Sequence, residues 1–206
     1  MAIFTEHIAE QGFQKVANRI GEILIEEIAN QQTIQSFEED VEIYLELQEP
    51  FDKSQDVVIS VDFKMADYGN YTTRDSQGNC TYYIDLWCCG MGIGDVPAST
   101  VAKNKLYRYL GIIRYILSSG KIQTLGFPNG LIGGKYVEKI VVDNDYSNHE
   151  RHSNQDGSYI RFARVIYSVR VQENQLLWDG IPLQGNNTNI TYEDTPQGTQ
   201  ILFNNN

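Results

Sequence analysis

The chain is short of the residues that most reactions and many partners require. Its 206 residues hold three histidines, three cysteines and 16 basic side chains against 27 acidic ones, for a net charge of −11. Nucleic-acid binding draws its affinity from clustered Lys and Arg on phosphates, so this balance argues against a duplex-gripping protein. No run approaches the roughly 18 consecutive apolar residues that cross a bilayer. The first ten residues lack the basic stretch and apolar block of a secretory signal. Cys80, Cys88 and Cys89 are odd in number and show no Cys-x-x-Cys spacing. That pattern reads as reduced thiols, not a disulfide frame or a zinc site. The sequons at Asn70, Asn79, Asn186 and Asn189 then mark only polar loops.

Complete catalytic motifs are missing as well. Gly90-Met-Gly-Ile-Gly94 stands between a strand pattern and a helix pattern, where a dinucleotide fingerprint would stand. The fingerprint needs a sixth-position glycine, but Asp95 brings a negative charge to the place of a pyrophosphate. Gly130-Leu-Ile-Gly-Gly-Lys135-Tyr136 fails as a phosphate loop: its first glycine is one residue too close to the lysine, and Tyr136 replaces Ser or Thr. His149 and His152 lie among carboxylates, yet their Asn-, Ser- and Gly-rich surroundings read as loop, where three-residue spacing aligns nothing. Cys88 and Cys89 are adjacent in a strand and point to opposite faces. No Gly-x-Ser-x-Gly elbow occurs, and Glu42 and Glu46 fall on outward positions of an alternating run. The expectation is a non-enzymatic chain with no catalytic, cofactor-binding or metal site.

Periodicity is abundant. Ala102, Leu106, Tyr109, Leu110, Ile113, Ile116 and Leu117 recur at three- and four-residue steps, so residues 97–119 form a long amphipathic helix. Pro97 suits its first turn, and Gly120 suits a left-handed stop. Tyr107, Ile112 and Tyr115 fall outside that stripe. An earlier helix runs from about Glu6 to Asn30, with Phe13, Val16, Ala17, Ile20, Leu24 and Ile28 on one face. Between the helices, Val41–Leu47, Val57–Phe63 and Cys80–Cys89 alternate as strands, and Met65–Asn79 joins the last two as a long polar hairpin. Tyr136–Asp143 and Tyr159–Gln172 read as two more strands around a polar loop at 144–158. Beyond them come Leu176-Leu177-Trp178, a turn at Gly185–Asn189, and a hairpin of Ile190–Glu193 with Thr199–Phe203. The expected fold is α+β: a mixed, mostly antiparallel sheet covered by an N-terminal helix and a central helix, with a projecting β-hairpin. The expected organisation is a domain over 1–172 and a hairpin arm over 173–206.

This order of elements over residues 5–172 resembles bacteriophage tail-terminator and head-to-tail joining proteins. The resemblance rests on an N-terminal helix before strands such as Val41–Leu47 and Val57–Phe63, a hairpin such as Met65–Asn79, a helix such as Pro97–Ser119 and a closing strand such as Tyr159–Gln172. It implies a structural virion protein of the neck or tail, assembled in the host cytoplasm. Such a protein forms a ring, commonly of six or twelve subunits, against portal, neck or tail neighbours, and DNA passes through its lumen without specific binding. Membership implies no cofactor and no membrane. Interface candidates are Tyr68, Tyr71 and Arg74 on the hairpin, Tyr115 on the central helix, and Leu176, Leu177 and Trp178 in the arm. Two other classes stay open. A carbohydrate- or peptide-binding module would use Trp87, Trp178 and the tyrosines as stacking platforms, and an enzyme would gather His149, His152 and carboxylates in a deep pocket.

Overall fold

Helical and strand periods alternate along the chain, and the computed structural model turns them into a helical layer on a sheet. It describes residues 7, 10–47, 56–69, 76–128, 130–143, 158–173, 188–195 and 198–205. In chain order these form α1 (Gly12–Gln35), β1 (Val41–Leu45), β2 (Val57–Tyr68), β3 (Ser76–Gly90), α2 (Ala98–Ser118), a 3₁₀ turn (Gly120–Ile122), β4 (Ile132–Asp143), β5 (Tyr159–Glu173), β6 (Thr188–Thr195) and β7 (Gly198–Asn205). The chain divides into two compact units, Met1–Glu173 and Asn174–Asn206.

In the first unit the strand order is β1-β2-β3-β5-β4. β1 runs parallel to β2, and the other neighbours are antiparallel. The class is α+β with a mixed sheet, as the patterning indicates. α1 lies against β1 and β2, while α2 lies over β3, β5 and β4. Both helices therefore dry the same face of the sheet. Ile59, Tyr82, Ile84, Leu86, Val165 and Tyr167 meet Ile20, Leu24, Ile28, Leu106, Ile113 and Leu117 there, all fully buried. Two of the core rings also hold helix ends. The Tyr82 hydroxyl donates to the Phe13 carbonyl at 2.9 Å, and the Tyr167 hydroxyl donates to the Leu117 carbonyl at 3.4 Å. A buried phenol needs such a partner, so each bond satisfies the hydroxyl and places one turn of helix.

Several boundaries differ from the sequence reading. α1 starts at Gly12, where the Gln14 side chain accepts from the Gln11 amide, and it continues to Gln35. Its stop is Ser36, held left-handed at φ 54°. Pro97 is the N-cap of α2, not part of its first turn, because its extended backbone only leads into the helix. Gly120 does not end that helix from a left-handed position. Ser119 caps it in an extended conformation, and Gly120 opens the 3₁₀ turn. Lys135 then reaches back from β4 to the Leu117 and Ser119 carbonyls at 2.6 and 3.0 Å, placing a cation where the helix dipole favours one. The segment Met65–Asn79 is strand over much of its length. β2 continues past a bulge at Phe63/Met65 to Tyr68, and β3 begins at Ser76. Its first residues pair on the other side with Val171–Glu173 of β5.

The second unit is a two-stranded antiparallel sheet, β6 with β7. Its register pairs Ile190 with Phe203 and Tyr192 with Ile201. Thr188 and Asn189, read as turn from sequence, already belong to β6.

Gly90 explains its own identity. A Cβ there would sit 2.4 Å from the Ala102 nitrogen and 2.6 Å from the Ala98 oxygen, so the end of β3 passes directly beneath the first turn of α2. Gly90→Ala is expected to cost about 1–3 kcal/mol through backbone displacement. Thermal melts followed by circular dichroism would check it; an unchanged midpoint would refute the close approach.

Candidate functional site

α1 and α2 lie side by side, and between their outward surfaces runs a groove of about 770 Å³. Glu27 and Gln31 line it from α1, Arg108, Ile112 and Tyr115 from α2, and Lys121 from the turn beyond. Tyr115 is 77% exposed and Tyr107 49%. Arg108 is already committed to its own chain: it meets Glu39 at 2.7 Å and lies over the Phe37 ring, 5.0 Å from its centroid. The apolar stripe of α2 is spent on the sheet, so its outer rings stand in water.

A second apolar surface was missed by sequence reasoning. Between β3 and α2 the turn at residues 91–96 exposes Met91 (66%), Ile93 (69%) and Val96 (44%). Ile93 and Val96 exchange backbone hydrogen bonds of 3.1 and 3.0 Å around Gly94, whose φ is +56°. The glycines here serve turn geometry and the α2 approach, and the large apolar residues between them were the available signal.

Of the interface residues named from sequence, the structure places Tyr68 and Tyr115, on different surfaces. Tyr68, 44% exposed, lies at the far end of β2 with its ring over Gly78 of β3, where a Cβ would come within 2.7 Å. A ring covering a strand glycine in this way supplies the contact area that the glycine lacks. Beside it, Gly78, Asn79, Gly133, Lys135, Tyr136 and Arg170 line a polar depression of about 490 Å³. Tyr71, Arg74, Leu176, Leu177, Trp178, His149 and His152 lie outside the described residues.

The sheet face away from the helices carries the strongest electrostatics. Arg164 of β5 grips Asp85 of β3 with two bonds of 2.7 Å and stacks 4.3 Å from the centroid of Tyr83. The two residues are register partners in the ladder, and the bidentate bond with Asp85 raises the Arg164 pKa. Trp87 tilts against Phe162 at 5.2 Å, so these rings are half-buried among neighbours and do not form an open platform. Asp62 of β2 accepts from the Ser60 hydroxyl at 2.9 Å, yet burial raises its pKa, and the nearby Asp85 and Glu46 charges add to the rise. Burial likewise pushes the Cys88 thiol far up, away from the reactive thiolate form. All three cysteines are buried and free. Among the described residues no three His, Cys, Asp or Glu side chains gather to hold a metal ion. No described helix is long and apolar enough to cross a membrane.

Comparison with protein-family models and with curated proteins returns no match for this chain.

The Asp62 environment gives a signed expectation. A carboxyl whose folded pKa is raised contributes stability that is complete at low pH and lost as pH rises through the folded value. At neutral pH its charge opposes folding. Asp62→Asn keeps an acceptor for Ser60 and should melt higher than the unaltered chain at pH 7, with the gap shrinking as pH falls through the folded value. Asp85→Ala should do the opposite, leaving Arg164 without its carboxylate and costing about 1 kcal/mol, since Arg164 stays partly in solvent. Urea titrations of both variants across pH 4–8 (roughly the carboxylate-to-neutral range) would check both signs.

Proposed function

We propose that this chain is a structural subunit of a bacteriophage neck or tail ring that joins head to tail around the DNA channel. The observation that carries the reading is the outer surface of the helical layer. Tyr115 and Tyr107 stand exposed over a groove of about 770 Å³, on a helix whose apolar stripe is already buried. Exposed rings beside a groove favour a protein partner, and a ring gives every copy that partner. The chain's net charge of −11 agrees with the reading, because an acidic lumen repels phosphate and lets DNA pass without adhering. The order of elements supports it too, as a helix, a hairpin-forming strand pair, a covering helix and a closing strand on one sheet.

In this role the protein needs no cofactor and catalyses nothing; its neighbours are further copies of itself and the portal, neck or tail proteins above and below. The test is the mass of the purified chain by sedimentation, together with its appearance by negative-stain microscopy. The expected outcome is a closed ring whose opening would pass a duplex. A chain that remains monomeric at tens of micromolar (roughly the range where weak interfaces associate) would overturn the proposal.

A further inference from the structure

Charge is divided along this chain more sharply than its net value suggests. Between Arg19 and Lys53 stand ten acidic residues and no basic one; between Asp95 and Glu138 stand six basic residues and no acidic one. The fold lays the helices of these stretches over different strands, α1 over β1 and β2 and α2 over β3, β5 and β4, while Glu39 and Glu27 meet the basic stretch at the groove between the helices. Three of the six basic groups are satisfied within the chain. Lys105 pairs with Asp56 at 2.8 Å, Arg108 pairs with Glu39 at 2.7 Å, and Lys135 caps α2. Lys103, Arg114 and Lys121 meet no carboxylate among the described residues, although Lys103 lies 5.6 Å over the Tyr107 ring.

Lys103, Tyr107, Arg114 and Ser118 follow one another at steps of four, seven and four, so they share one exposed stripe of α2. Tyr107 also borders the groove that Arg108, Ile112 and Tyr115 share with α1, while Lys103 and Arg114 lie outside that lining, so the stripe runs along the groove's outer rim.

The acidic surface is built differently. Gly21 of α1 comes against β1, where an added Cβ would lie 3.0 Å from Leu45 Cδ2, and this marks the flank of α1 nearest the sheet edge. Ile25, one turn further on, is 53% exposed and Leu45 is 47% exposed. Beside them opens a depression of about 320 Å³ with Phe13, Ala17, Leu45 and Phe63 in its lining and Glu10 and Glu46 among its polar residues. Apolar lining with carboxylates suits side chains that have an apolar body and a cationic tip. The α2 stripe presents such side chains.

Two different, complementary surfaces on one molecule make a heterologous contact, and such contacts close into rings when the rotation between copies allows. Resting on the ring reading above, we propose that copies of this chain join head to tail, the Lys103–Tyr107–Arg114 stripe of one seated on the Glu10–Glu46 depression of the next.

The test reverses each surface separately. One variant carries Lys103→Glu and Arg114→Glu, the other Glu10→Lys and Glu46→Lys, all at exposed positions. Like charges then meet at every junction, so each variant alone should self-associate at least about tenfold more weakly than the unaltered chain. An equimolar mixture should recover assembly as alternating copies in even-numbered oligomers. Sedimentation velocity and mass photometry read the result, and thermal melts establish that each variant is folded. Should a reversal prevent folding, Lys103→Gln with Arg114→Gln takes its place, with weakened assembly as the expected result. An unaltered chain that assembles, with both variants assembling equally well, would overturn this interface and leave the ring reading standing. Weakening without recovery in the mixture would overturn the pairing of these two surfaces. A monomeric unaltered chain would remove the ring reading and the interface together.

Discussion

The fifteen-residue antiparallel ladder between β3 and β5 is the constraint on which the rest of the structure depends. It runs without a shift from Ser76 opposite Glu173 to Gly90 opposite Tyr159. A side-chain period of two then sets which residues of both strands enter the core, and a slip of one residue would send all of them to water. Tyr82, Ile84, Leu86 and Cys88 face the helices beside Ala163, Val165, Tyr167 and Val169. On the reverse face the same register brings Asp85 opposite Arg164, where a bidentate ion pair would be lost by any slip. The pair contributes most as a lock on register, since Arg164 stays partly in solvent and screening limits its worth to stability.

The helices follow from this ladder. Gly90 lets the chain leave β3 directly under the first turn of α2, so α2 cannot drift from the strand it follows. Tyr167 then receives the other end of α2, and Lys135 closes its last carbonyls from the neighbouring strand. α1 is held by Tyr82 and by Arg19, whose guanidinium donates to the Leu125 carbonyl at 2.9 Å. With both helices fixed on one face, their outer surfaces border the groove of about 770 Å³.

Much of this architecture is written locally. The three-and-four spacing from Ala102 to Leu117 admits only a helix with one apolar stripe, and the alternation from Tyr159 to Val171 admits only a strand with one dry face. Every residue assigned to the stripe of α2 is buried. Helix ends were less legible, because Ser36 stops α1 in a left-handed conformation that sequence assigns first to Gly or Asn, and Ser119 stops α2 in an extended one that many residues can adopt. The extent of the hairpin was also obscured. Met65–Tyr68 breaks the alternation at a bulge and Ser76–Asn79 is polar, so both look like loop until their partners in β3 and β5 are known.

Composition, periodicity and the scarcity of basic and catalytic residues thus determined, from sequence alone, an α+β domain whose sheet is apolar on one face and whose central helix has rings to spare. Tertiary structure alone decided the direction of β1, since alternation is the same in parallel and antiparallel pairs and only the Val41–Val57 register resolves it. It alone decided that Asp85 meets Arg164 across 79 residues, because ion pairs carry no mark in the sequence of which strands will be neighbours. It also decided that Lys105 and Arg108 of the basic stretch meet Asp56 and Glu39, which lie far from them in sequence. Charge is counted along a chain, but which way a surface points is set by packing, and packing joins residues that the sequence keeps apart.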